Sequence, residues 1–167
     1  MKMLFKENQK FNQWWLWIIL IGIGILPIYG IYKQIIKDEI FGDKPMSNFG
    51  LIIFSFCVYG FIYFFWYMSL NTEIDNNEIK IHFKPFLKKK VNWNEIKSVK
   101  IVNYGFVGYG IRFGSKHGTV YNTNGNKGLA IELKNGKKFV IGTQKETEMN
   151  TFVEKMTAVK NVYNSFL

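Results

Sequence analysis

Four lysines within seven residues, Lys84, Lys88, Lys89 and Lys90, form the sharpest charge cluster in this 167-residue chain. Such a run has two readings: a solvated hairpin tip, or a contact with anionic lipid headgroups, where each lysine near the surface contributes about 1 kcal/mol. Arg112 is a second candidate, because it stands alone among the 22 basic residues, all the others being lysine. A planar, bidentate fork there suits a carboxylate, a phosphate or loop carbonyls, so Arg112 is either a structural clamp or a ligand contact. The bland alternative is compositional, since abundant Lys, Asn and Ile suit a genome that disfavours arginine codons. Around Arg112, residues 104–128 hold seven glycines together with Tyr109, Lys116, His117, Tyr121 and Asn122. Polar, loop-rich surface on a rigid scaffold is where binding concentrates, which makes this segment the expected partner site.

Catalytic patterns are missing. His82 and His117 are the only histidines and Cys57 the only cysteine, so neither HxxxH nor CxxC spacing exists for zinc. Gly105, Gly108 and Gly110 stand in the wrong order for a dinucleotide fingerprint, and no helix pattern follows them. Gly125 to Gly128 lacks phosphate-loop spacing, and no Gly-x-Ser-x-Gly elbow occurs. These absences lead to the expectation of a non-enzymatic chain without cofactor or metal. Cys57, among apolar neighbours, reads as buried filler.

The elements that must position these residues fall into two groups. Residues 14–32 (WWLWIILIGIGILPIYGIY) and 51–70 (LIIFSFCVYGFIYFFWYMSL) contain no charge and are long enough to cross a bilayer. A signal peptide is the alternative for the first, but its apolar run is too long and no small-x-small cleavage site follows. Pro27 should kink the first helix, and Gly22, Gly24 and Gly30 leave room for close packing. Neither span carries an acid, base or amide inside it, which argues against a transporter or channel. Lysines set the orientation: Lys2, Lys6 and Lys10 before the first span and Lys80, Lys84, Lys88, Lys89 and Lys90 after the second outnumber Lys33, Lys37 and Lys44 between them. The expectation is a helical hairpin with both termini cytoplasmic. Residues 1–70 are read as flank and membrane anchor, and 71–167 as a cytoplasmic domain. The formal charge of +10 fits this division, because the span-connecting loop is neutral. Nucleic acid is not needed to explain it, as no binding motif interleaves the lysines.

After residue 70 the period becomes two. Ile79, Ile81 and Phe83 alternate with Lys80, His82 and Lys84 as a half-buried strand. Segments 86–93, 99–103, 109–113, 119–122, 129–133 and 138–142 follow as strands, the last two joined by Asn135-Gly136, a hairpin signal. Met149, Phe152, Val153, Met156, Val159, Tyr163 and Phe166 then mark one stripe of a helix, preceded by Thr143 and Glu146 at capping-box spacing. The fold class expected is α+β, a bent antiparallel sheet or barrel of six or seven strands closed by a C-terminal helix.

Strand 79–83, the turn Trp93-x-Glu95-Ile96, the strand Tyr109-Gly110-Ile111-Arg112 and Ile141-Gly142-Thr143 before the final helix carry a resemblance. In pattern and order the chain resembles the bacterial pleckstrin-homology-like (PH-like) membrane proteins, over the anchor and nearly all of residues 71–165. The resemblance implies an integral protein of the bacterial inner membrane whose PH-like domain is a scaffold for lipid or protein ligands. Members that select inositol phosphates usually place a Lys-x-Arg-like set in the first hairpin, whereas this hairpin has lysines only. Fold alone supplies no function. The leading expectation is a membrane-anchored adaptor binding a protein or peptide through Tyr109, Arg112, Lys116, His117, Tyr121 and Asn122. The alternative is a sensor of anionic lipid using Lys84 and Lys88–Lys90.

Overall fold

Strands and helices segregate along the chain as two groups joined twice. The computed structural model describes residues 4–105 and 108–164, with residues 159–164 given by backbone alone. It divides into a helical unit, Asn12–Tyr67, and a β unit formed by Met1–Phe11 with Met68–Leu167.

In the helical unit, α1 (Trp14–Ile31) runs on through one π-helical turn, Tyr32–Ile36, and α2 (Asn48–Tyr67) follows. Both are long and apolar enough to cross a membrane, and only 22% and 11% of their apolar windows are buried. A core helix of a soluble protein would show the reverse. The two helices meet at small residues. A Cβ on Gly24 would stand 3.1 Å from Ile62 Cδ1, and one on Gly30 3.1 Å from Leu51 Cδ1. Pro27 lies inside α1 and cannot donate to the carbonyl four residues back; one turn away the Tyr59 hydroxyl donates to the Gly24 carbonyl at 2.9 Å. From the π-helical turn, Gln34 Nε2 donates to the Met46 carbonyl in the connecting loop and to Asn48 Oδ1 at the start of α2. Cys57, expected as buried filler, is exposed, because the helical unit has no third helix to cover that face of α2.

The β unit contains nine strands among the described residues. A four-stranded antiparallel sheet follows the order β1 (Leu4–Lys10), β2 (Ser69–Asp75), β3 (Glu78–Lys84), β4 (Leu87–Asn92). A five-stranded sheet contains β5 (Ile96–Asn103), β6 (Gly110–Ser115), β7 (Gly118–Asn122), β8 (Lys127–Leu133) and β9 (Lys138–Gly142), in the order β5-β8-β9-β7-β6. The inner faces supply a shared core: Phe5, Leu70, Ile74, Ile79, Ile81 and Phe83 from one sheet, Leu129, Ile131, Phe139 and Ile141 from the other. Helix α3 (Glu146–Asn164) packs against β5 and β8, burying Met149, Val153 and Met156, while Phe152 meets the Phe5 ring at 6.1 Å. Val159 and Tyr163, by their side chains, and Phe166 lie outside the described residues.

Four expectations change here. The flank before the first span is a strand rather than part of the anchor. Its inward positions are Phe5, Glu7 and Gln9, so two polar residues mask the alternation. Both are buried and bonded. Glu7 accepts the Thr143 hydroxyl at 2.7 Å and the Gln144 N–H at 2.8 Å; Gln9 donates to the Gly142 carbonyl at 2.7 Å and accepts the Thr123 hydroxyl at 3.2 Å. Second, residues 68–70 belong to the β unit, not to a span. Leu70 is fully buried there, opposite Gln9 on one side and Phe83 on the other. Third, β7 and β9 pair in parallel, because the connection after β7 carries the chain past β9 before β8 turns back at Asn135-Gly136 to form it. Fourth, Thr143 and Glu146 make no capping box. Glu146 pairs with Lys127 at 2.7 Å, and the carboxylate serving the backbone before α3 is Glu7. A capping box does form at Asn92 and Glu95, where the corner between the sheets begins.

Glu7→Ala should therefore destabilise the β unit by about 2 kcal/mol, since two charge-assisted hydrogen bonds are lost in a buried site. Lys6→Ala, one residue away but facing solvent beside Glu73, should change stability by less than about 0.5 kcal/mol. Denaturant titration of the two full-length variants, followed by near-UV dichroism, checks the contrast.

Candidate functional site

The outer face of the four-stranded sheet is read most simply in cross-strand rows. Strand alternation sends Lys6, Asn8 and Lys10 of β1 to this face, with Ser69, Asn71, Glu73 and Asp75 of β2. From β3 come Glu78, Lys80, His82 and Lys84; from β4, Lys88 and Lys90. Pairing register then gives the rows Lys6–Glu73–Lys80–Lys90 and Asn8–Asn71–His82–Lys88, followed by Lys10–Ser69–Lys84.

Charge is graded along these rows. Asp75 and Glu78 lie at the end where β2 turns into β3, and Lys80 bridges both, at 3.4 and 3.0 Å. N–H groups of Glu78 and Asn77 donate to Asp75 and hold its carboxyl below the ordinary range. Lys6 takes up Glu73 at 2.9 Å. Beyond that row the described residues of the face include no acid. Among the described residues, no carboxylate lies within ion-pair distance of Lys84, Lys88 or Lys90. The groove they line with Asn71, Glu73, Lys80, Ile81, His82 and Lys89 has a volume of about 340 Å³. Partial burial, then the charges of Lys88 and Lys84, push the His82 pKa down. The arrangement attracts anions and offers no nucleophile paired with a base.

Lys89 lines the same groove as the other three lysines, but its ammonium is directed elsewhere. With its side chain on the opposite face from Lys88 and Lys90, its ammonium sits 3.5 Å from the centroid of the buried Phe139 ring. Burial first, and the charge of Lys137 second, lower its pKa. It bridges the two sheets rather than presenting charge outside. The sequence signal for this was available in the period of two: residues 88 and 90 share a face, 89 does not. The same period places Lys80 and His82 beside Lys84, an association that a linear reading of the cluster omits.

The glycine-rich segment is partly a packing device. Gly110 pairs with Asn122, and Gly142, Gly128 and Val102 form a cross-strand row, with Asn122 Cβ 2.8 Å from where a Cβ on Gly142 would stand. A Cβ on Gly142 would stand 3.1 Å from the Tyr104 hydroxyl, and one on Gly128 would strike the Ile141 carbonyl. The furrow so formed lets Tyr104 pack into a small second core with Val120 and Val140. Asn122 is 1% exposed, and its amide donates to the Gly108 carbonyl at 3.0 Å and to Tyr104 Oη at 3.3 Å. Tyr121 is buried on the other face against Phe139. Tyr121 and Asn122, expected at a partner surface, are thus held inside, because β7 is an inner strand. Tyr109 and His117 are half-buried, while Lys116 and Arg112 are exposed. Arg112 forms no clamp: it has no ion pair or hydrogen bond among the described residues, and its guanidinium lies over Gly108. Lys116 and His117 line a shallow groove with Ser98, Lys100, Glu132 and Lys138. No three His, Cys, Asp or Glu side chains among the described residues gather into a metal-binding set.

Because its folded pKa is lowered, His82 is neutral in the folded chain at neutral pH and binds fewer protons than in the unfolded chain. Its contribution to stability is complete above the ordinary histidine value near 6.5 and is lost as pH falls from there through the folded value. NMR titration should give a midpoint below that ordinary value, moving upward in Lys88→Gln; a midpoint at or above it would show that burial and the two lysines are not felt.

No protein-family model, no curated protein and no solved structure matches this chain.

Proposed function

We propose that this chain is a non-enzymatic, membrane-anchored binding module of the bacterial inner membrane, with both termini cytoplasmic, whose basic sheet face meets anionic lipid headgroups. The observation that carries this reading is the segregation of charge on the four-stranded sheet, where Lys84, Lys88 and Lys90 have no acidic partner among the described residues. Each lysine near an anionic leaflet contributes about 1 kcal/mol, so three contribute about 3 kcal/mol at low salt and less as salt rises. With the chain already anchored, that energy would orient the β unit rather than recruit it.

Membrane crossing by α1 and α2 is supported by their length, their apolar composition and their small buried fraction. The even number of crossings is supported by the pairing of β1 with β2. The strand entering α1 and the strand leaving α2 are neighbours in one sheet, so both helix ends start from the same side. The PH-like reading draws support from two sheets, of four and five strands, followed by a C-terminal helix against β5 and β8.

The adaptor reading is kept as a second function because one observation favours it. Arg112 is an exposed guanidinium without an acceptor among the described residues, on the sheet opposite the lysine groove. A protein or peptide partner is the natural source of that acceptor.

Solvent accessibility separates the lipid reading from its alternatives. A nitroxide at Lys88 of the full-length chain should be less open to a water-soluble nickel chelate in nanodiscs containing phosphatidylserine than in pure phosphatidylcholine. Added salt should restore access, and a nitroxide at Lys134 should not respond. Equal access at Lys88 in both membranes would sink the lipid contact.

A further inference from the structure

Strand β6 closes one side of the five-stranded sheet and, among the described residues, pairs only with β7, so no described strand lies beside its other edge of N–H and C=O groups. The remaining edges are guarded. Strand β5 is packed by α3, β1 lies beside the same helix through Phe5 and Phe152, and β4 carries Lys88 and Lys90. Lysines and covering helices are the usual protection against unwanted strand pairing. In Gly110–Ser115 there is neither lysine nor proline. A bulge between Arg112 and Ser115 limits the regular part of the edge to three paired positions, Gly110, Ile111 and Arg112.

The side chains at this edge are of a particular kind. Arg112 is exposed, and its Nε, Nη2 and Cζ lie 3.0–3.2 Å from where a Cβ on Gly108 would stand, so the absence of a side chain at residue 108 makes the space for the guanidinium. Phe113 next to it is 80% exposed. In register with Arg112 runs the outward row Val120, Val140, Ala130, Lys100. The acid on this face, Glu132, is already taken by Lys97 at 2.8 Å and Lys138 at 3.6 Å. Positive charge is therefore in excess around an open backbone edge.

We propose that the free edge of β6 is a docking site for a short, extended acidic segment of a partner protein, which adds as a strand beside Gly110–Arg112 and places a carboxylate on Arg112. Main-chain hydrogen bonds would set the register, a bidentate carboxylate–guanidinium pair the polarity, and an apolar side chain against Phe113 the fit. A bilayer is the weaker occupant, because this outward row lies across the core from the lysine groove: Lys89 reaches inward from one sheet to Phe139 of the other. The proposal rests on the adaptor reading and gives it a partner chemistry.

The test uses the full-length chain in phosphatidylcholine nanodiscs, so that anionic lipid plays no part, with a dye-labelled peptide of alternating Glu and Val. Binding is expected with amide shifts over residues 110–115. Arg112→Ala should weaken it about tenfold or more, the equivalent of losing one charge-assisted pair. Arg112→Lys should restore only part of it, while a double Lys84→Gln, Lys88→Gln variant should bind as the parent does. A Lys-Val peptide, and a Glu-Val peptide interrupted by proline, should not bind. Equal binding of the proline peptide, or no loss in Arg112→Ala, would overturn the proposal. Binding with shifts confined to another surface would overturn the β6 site while leaving the adaptor reading standing; no binding by any of the peptides would count against both.

Discussion

Pairing of β1 with β2 ties the residues that precede the first apolar helix to those that follow the second. Lys10 lies opposite Ser69, four residues before Trp14 and two after Tyr67. Neighbouring strands stand about 4.8 Å apart, so the chain segments that enter and leave the helical pair are held at sheet spacing by main-chain hydrogen bonds. Glu7 and Gln9 add a second fastening, to the segment between β9 and α3 and to Thr123. A chain built this way cannot send one end of its helical pair to each side of a bilayer without breaking the sheet. Strand pairing thus supports the part of the proposed topology that puts both ends on one side, and the lysine counts support which side that is.

That same pairing creates the basic face. Without β1 the four-stranded sheet would lose Lys6, and Glu73 would lose its partner. With it, each of the three acids at one end of the face is taken by a lysine, and the surplus of positive charge is displaced toward Lys84 and Lys88, in the rows nearest the strand ends that continue into the helices. The five-stranded sheet handles its own problem differently. Its Val120 and Val140 point away from the main core, and the glycine row lets Tyr104 seal them into a second one. Glycine in the 104–128 segment therefore serves close packing as much as surface display.

Much of this architecture was legible in the residues, and the exceptions share one physical origin. The strand periods over 79–83, 129–133 and 138–142, the Asn135-Gly136 turn and the helix after residue 145 follow directly from apolar spacing and turn chemistry. What escaped were elements whose inward positions are polar or whose signal abuts a stronger one. Strand β1 hides because Glu7 and Gln9 occupy core-facing positions that only distant partners, residues 123 and 142–144, can satisfy. Strand β2 hides because Leu70 continues an apolar run that looks like membrane span. At the candidate site the lysine cluster is visible in the chain, and alternation divides it, turning the Lys89 ammonium toward Phe139 and bringing in Lys80 and His82. Asn122 and Tyr121 could not be placed from the chain alone, since their burial depends on β7 being flanked by β6 and β9.

Cysteine cross-linking of β1 to β2 in native membranes tests the central constraint most directly. Asn8 and Asn71 are opposite each other on the outer face, at a spacing that antiparallel pairs and disulfides share. With Cys57 replaced by Ala, Asn8→Cys combined with Asn71→Cys should form a disulfide on mild oxidation and become inert to maleimide. Asn8→Cys with Thr72→Cys, whose second position faces the core, should remain reduced. If the Asn8–Asn71 pair stays open to maleimide under the same conditions, β1 is not paired with β2, and the fastening of the helical hairpin to the sheet is wrong.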